Sequence, residues 1–205
     1  MTKICGIAII SRSPDGKDCK ILAEAQELQQ FNFFQRKSVS EFMSFTARTV
    51  AQRTNIGTRQ SVQQQEYMCH SYTRNDNLNG IILTDKEYPS RVSFTLISKL
   101  LEEFSAKQPL WNEFSQIETP NTCENFPELT NWLKKYQDPQ QADSLTRVQK
   151  ELDETKVVLH QTLEGLLNRG EKLDDLVSRS DMLSQSSKAF YTTAKKTNSW
   201  CCTMM

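Results

Sequence analysis

The sequence holds no run of roughly 18 apolar residues, so it offers no membrane-spanning helix. It shows no secretory leader, because the apolar stretch after Lys3 is too short and breaks into a turn at Ser11 to Gly16. There is no charge excess, with 25 basic and 25 acidic residues, whereas a protein that grips nucleic acid needs a basic face. No glycine-rich phosphate loop, no paired carboxylates and no Ser/His/Asp pattern point to catalysis. His70 has no second His, Asp or Cys at metal spacing nearby and reads as a strand histidine. Cys5, Cys19, Cys69 and Cys123 are scattered without metal spacing, and are expected as free thiols of a reducing compartment. These absences leave a binding protein, expected to need no metal and no cofactor.

The longest pattern lies near the C-terminus. Steps of alternating three and four residues from Leu145 reach Val148, Leu152, Thr155, Leu159, Thr162, Leu166, Arg169, Leu173, Leu176, Ser180, Leu183, Ser187, Phe190, Ala194 and Thr197 without a slip. A 3.5-residue repeat held this long predicts a coiled-coil seam, and no proline interrupts it. Arg169 is the departure. A guanidinium buried in such a seam without partners costs several kcal/mol and cannot deprotonate to escape. The seam is weak elsewhere: Thr155, Thr162, Ser180 and Ser187 bury little, and Gly165 and Gly170 flank the arginine, each costing roughly 1 kcal/mol against Ala. The segment is therefore expected to pair with other helices that bring acceptors to Arg169, rather than with itself.

The last residues carry a different chemistry. The ending Cys202-Thr203-Met204-Met205 fits a prenylation signal, and a final Met favours farnesyl. Cys201 is placed for a second chain, palmitoyl or prenyl. One lipid alone binds a bilayer only marginally, and two bind it stably. Trp200 suits a membrane interface, and Lys195 and Lys196 attract anionic headgroups.

The preceding residues read as one compact domain. Strands are expected at Lys3 to Ile10, Cys19 to Glu24, Ser61 to Gln65, Tyr67 to Thr73 and Gly80 to Thr84. Phe31, Phe33 and Phe34 are three rings in four residues, and are expected in the core or under a covering element. Ser38 with Glu41 fits a capping box opening a helix whose apolar face is Val39, Phe42, Met43, Thr46 and Val50. Phe45 falls off that face, either shielded by a loop or forming a docking surface with Phe42. A second helix follows Ser90, with a stripe of Val92, Leu96, Ile97, Leu100, Leu101 and Phe104. Residues 105–127 read as a loop, a short helix follows near Glu128 to Tyr136, and Pro139 marks the boundary. The fold expected is α+β, a five-stranded antiparallel sheet with helices on both faces, followed by a long coiled-coil helix.

Four stretches and the order of the elements carry a family resemblance. The run Leu166-Leu167-Asn168-Arg169-Gly170-Glu171-Lys172-Leu173-Asp174-Asp175-Leu176 looks like the centre of an R-SNARE motif, with seven seam positions before Arg169 and eight after it. The order of the N-terminal elements resembles the longin domain. Phe31-Asn32-Phe33-Phe34-Gln35-Arg36, Asn79-Gly80 and Glu87-Tyr88-Pro89-Ser90-Arg91 resemble the prenylated longin R-SNAREs, which are synaptobrevin-like v-SNAREs lacking a transmembrane segment. The resemblance implies a profilin-like longin domain at 1–137, an R-SNARE coiled coil at 138–199 and a lipidation signal at 200–205. It implies three Q-SNARE helices as partners, whose glutamines meet Arg169. It also implies fusion of vesicles in ER–Golgi, Golgi and endosomal transport, with the chain on the cytoplasmic face of these membranes and in the cytosol. Val157, Val158, Leu163, Leu167 and Val177 are apolar but off the seam. They pack either within the bundle or on the longin domain near Phe42 and Phe45, sheltering the lipid in a closed form. A lipid-anchored adaptor or tether is the competing reading, and the resemblance leaves a cysteine acyltransferase activity open.

Overall fold

The structure is a computed structural model of the chain and describes residues 3–64, 66–108, 126–139, 157–160 and 162–202. The N-terminal part consists of β1 (Ile4–Arg12), β2 (Cys19–Gln26), α1 (Arg36–Arg53), β3 (Arg59–Gln64), β4 (Tyr67–Thr73), β5 (Leu78–Asp85), α2 (Ser90–Lys107) and α3 (Glu128–Lys135). The five strands form the expected antiparallel ladder in the order β2-β1-β5-β4-β3. Successive side chains of a strand point to opposite faces, and the central strands are apolar on both. Ile7 and Ile9 of β1, with Leu78 and Ile82 of β5, pack under α2 and α3. Ala8, Ile10 and Ile81 face α1. The α2 stripe from Val92 to Phe104 is buried as its spacing predicts.

A sixth strand, β6 (Val157–His160), lies parallel to β3, with Arg59 opposite Val157 and Val62 opposite His160. It comes from the segment expected as one long helix. Among the described residues that segment continues as a 3-10 turn (Glu164–Leu166), then α4 (Leu173–Arg179) and α5 (Gln185–Cys202). It breaks where its helical content is poorest. Gly170 takes φ +93°, a left-handed conformation that ends a helix. A helix with Ser and Thr on its seam gains most of its stability from packing against other helices. The domain supplies a different partner, and the segment shapes itself to that.

Two local expectations change. Ser38 is not an N-cap: α1 begins at Arg36, with Gln35 as a cap that makes no side-chain bond. Glu41 is thereby free for another role, described below. Phe45 is buried against the sheet, whereas Val39, Phe42 and Met43 on the expected core face are only half-buried.

His70 is fully buried in β4, its Nδ1 2.8 Å from Ser61 Oγ and its Nε2 3.4 Å from Thr84 Oγ1, edge-on to Phe94. Burial pushes its pKa down to about 4. The unfolded value is about 6.5, so the stabilisation is complete above that pH and is lost as the pH falls toward 4. The expected loss is about 3 kcal/mol, measurable by urea unfolding at stepped pH. Carboxylates held below their ordinary range add their loss at lower pH. His70→Gln is expected to flatten the slope; an already flat parent curve above pH 4.5 would contradict this.

Candidate functional site

The residues with functional promise lie in the C-terminal segment and on the α1 face that holds it. Leu163, Leu173, Val177 and Leu183 are buried in one cluster with Phe45, Val50 and Val62, and Leu166, Leu167 and Leu176 pack partly against it. Phe42 stacks on Tyr191 with ring centroids 5.5 Å apart and lies 5.7 Å from Phe45. The off-seam residues divide. Leu163 and Val177 are buried and Leu167 is half-buried, while Val157 and Val158 join the sheet through their backbone and keep exposed side chains.

Seam positions divide as well. Leu173, Leu183 and Ser187 are buried, and Phe190 and Ala194 are half-buried beside the cavity described below. Ser180 is half-buried, Thr162 is exposed, and Leu159 is 55% exposed on β6. Arg169 is exposed in the turn before Gly170. That turn is held beside it: Glu171 Oε2 accepts from the Arg53 guanidinium at 3.0 Å and from the Asn168 N–H at 3.0 Å. The Arg53 bond keeps the Glu171 carboxyl below its usual range. Arg169 thus has solvent around it and no seam to occupy in this state. Leu145, Val148, Leu152 and Thr155 lie outside the described residues, as do the side chains of Thr197, Cys201 and Cys202.

Besides the Arg53–Glu171 pair, one polar contact fastens the segment to α1 and another closes it on itself, and the sequence pattern gave no sign of either. Glu41 on α1 accepts from the Ser184 N–H at 2.8 Å and from the Ser187 hydroxyl at 2.7 Å, meeting the first turn of α5. Partial burial works against this carboxylate, but the serine bonds hold its pKa below the ordinary value. Asp174 of α4 accepts from Tyr191 Oη at 2.9 Å and pairs with Lys195 at 2.7 Å, closing α4 against α5. Glu41 has a carboxylate's normal pattern for a capping box, so its reach across to another helix could not be read from spacing.

Between α1, the β3–β4 floor and the docked segment lies a cavity of about 600 Å³. Val62, Cys69 and Leu83 form its floor, with Phe42, Met43, Leu163, Leu173, Phe190 and Tyr191 around it. Its lining is dominated by apolar side chains, which suits a hydrocarbon chain more than a polar ligand. Cys5 and Cys69 border it, but burial raises both thiols, Cys69 to about 12. A thiol protonated at neutral pH is a poor nucleophile. Among the described residues no helix is long and apolar enough to cross a membrane.

Known proteins match both halves. A longin family model, described as a regulated-SNARE-like domain, matches residues 28–130. A synaptobrevin family model matches residues 144–204. The chain is 51% identical over 199 residues to "Synaptobrevin homolog ykt6" of Schizosaccharomyces pombe, covering 97% of this chain and 98% of that protein. It is 51% identical over 190 residues to a protein of the same name from Debaryomyces hansenii, covering 93% and 94%. A third, from Eremothecium gossypii, is 49% identical over 205 residues, covering 99% and 100%.

Proposed function

The chain belongs to the longin-domain R-SNAREs of the synaptobrevin family and serves vesicle trafficking, and from that premise we propose how it does so. Residues 145–197 leave the longin domain and join three Q-SNARE helices in a parallel bundle, with Arg169 meeting a glutamine from each. The full helix would run roughly 80 Å at 1.5 Å per residue. Zippering toward Cys202 draws the lipid-bearing end toward a partner anchored in the opposing membrane. The observation that carries this reading is the near-50% identity running through both modules, supported by the seam centred on Arg169. The work is mechanical, not catalytic. A tether that never enters a bundle is not favoured by the same relatives.

The anchor is part of the proposal. Cys202 carries farnesyl and Cys201 carries palmitoyl or a second prenyl chain, on the cytoplasmic face of Golgi, ER and endosomal membranes. In the docked state the cavity beside Phe42 and Tyr191 takes the hydrocarbon, giving a cytosolic form. Its apolar lining and the α5 residues on its wall support this.

Mixing the full chain with three glutamine-bearing helices is expected to give an SDS-resistant complex; no complex would favour the tether. Arg169→Leu separates the two states. Arg169 is exposed in the docked form, so melting of the chain alone is expected to stay within about 0.5 kcal/mol of the parent. In the bundle, three buried glutamines lose their donor, at about 1–3 kcal/mol for each group left unsatisfied. Cys202→Ser is expected to reduce membrane attachment in cell fractions by about a hundredfold, because the remaining cysteine has no prenylated neighbour. Unchanged attachment would contradict the anchor.

A further inference from the structure

Phe33 and Phe34 do not sit where three clustered rings were expected. They are 74% and 90% exposed on the turn between β2 and α1, while Phe31 beside them is half-buried against Tyr67. The turn is fastened rather than frayed. Arg36 donates from Nε to the Phe31 carbonyl at 3.1 Å and from Nη2 to the Gln29 carbonyl at 3.3 Å. Asn32 Oδ1 accepts from the Phe34 N–H at 3.1 Å. The Arg36 guanidinium also covers one ring, 5.9 Å from the Phe33 centroid, and the two phenylalanines meet edge-to-face at 5.8 Å. The fold thus spends hydrogen bonds on holding two large apolar rings in water.

Among the described residues the docked segment leaves these rings bare, and neither ring belongs to the seam. Their size argues against a protein partner. Two phenylalanines bury at most about 300–500 Å², short of the roughly 600 Å² per partner at the small end of specific protein interfaces. It is enough for partition into a bilayer interface, where aromatic rings are favoured. The charges beside the rings are Arg36 and Lys37; the carboxylates that flank this stretch, Glu27 and Glu41, accept from the Gln29 N–H and from Ser184 and Ser187. The neighbouring β3–β4 turn adds Glu66, which pairs with Lys86.

We propose that the Phe33–Phe34 tip is a membrane-contacting element of the longin domain, seating both rings among the headgroups of an anionic bilayer with Arg36 and Lys37 at the lipid surface. It rests on the proposed anchor only in adding to it: a single prenyl chain binds marginally, and a second, weak contact makes attachment durable.

The test uses the full chain made without lipid modification, so that failure of the anchor and failure of the tip are read separately. Flotation with phosphatidylcholine vesicles containing about one-third phosphatidylserine is compared for the parent and the Phe33→Ser/Phe34→Ser variant. The variant is expected to bind about tenfold more weakly, with unchanged melting because both rings are exposed. In a second variant, Phe34→Trp, the added fluorescence is expected to shift to the blue on vesicles and to be quenched by brominated lipid. Equal flotation of parent and double variant, or tryptophan emission indifferent to vesicles, overturns the proposal. So does a sedimentation result in which the parent is dimeric and the double variant monomeric, which would make the tip a contact between copies.

Discussion

Phe42→Glu is expected to release residues 157–202 from the longin domain, lowering amide protection across α4 and α5 about a thousandfold. The ring stacks on Tyr191 and borders the apolar cavity. The ring is half-buried, so its removal forfeits about 1–1.5 kcal/mol of burial and about 1 kcal/mol of ring stacking. A carboxylate in its place must be desolvated beside Leu163 and Leu173 or drive the segment away, adding about 1–3 kcal/mol. Each 1.4 kcal/mol is a factor of ten in the open-to-closed ratio, so the sum reaches roughly 10³. Phe42 is only half-buried on the outer face of α1, so the domain itself should unfold as the parent does. Assembly with partner helices should speed up in the same proportion, up to the intrinsic rate of the free segment. Retained protection of α4 and α5 in Phe42→Glu would mean that Glu41 and the Leu163–Leu183 cluster suffice without it.

Gly80→Val is expected to have the largest effect on the domain. A Cβ at this position of β5 would lie 2.7 Å from Ile97 Cγ2 and 3.1 Å from Leu101 Cδ2. Both side chains are fully buried in α2, within the main core. The helix rests on the strand at this glycine, and a branched side chain must push it off. Over-packing of this kind costs about 3 kcal/mol, or about 10 °C in melting temperature for a protein of this size. Gly165→Ala is the contrast, since its Cβ would meet only Thr162 Oγ1 at 3.6 Å; it should change stability by less than about 0.5 kcal/mol. A parent-like melt for Gly80→Val would show that α2 has room to shift.

Much of the domain was legible because each pattern had one packing solution. The β1 run and the α2 stripe are buried on the sheet as their periods require. The C-terminal segment was legible only in its other state. Its 3.5-residue repeat describes contacts with helices absent here, and so it says nothing about β6 or the break at Gly170. In the proposed bundle Leu173 and Leu183 would serve again, because a buried leucine can face either partner. Arg169 would be buried only there, and is exposed in the docked state. Phe45 misled for a similar reason: its helical phase was right, but the face taken as core is the one that meets the docked segment. The exposed Phe33 and Phe34 broke the rule that large rings hide, and hydrogen bonds donated by Arg36 and accepted by Asn32 explain how the turn tolerates them.

The sixth strand carries a cost for the molecule once it acts. Val157 to His160 cover the rim of β3, and the proposed bundle would need the same residues as helix, so assembly would strip Arg59 to Val62 of their neighbour. The freed domain then presents a bare ladder, ready to accept any passing extended chain. An opened molecule that fails to find its partner helices is therefore sticky, and crowding on a vesicle should favour clumping unless the segment folds back.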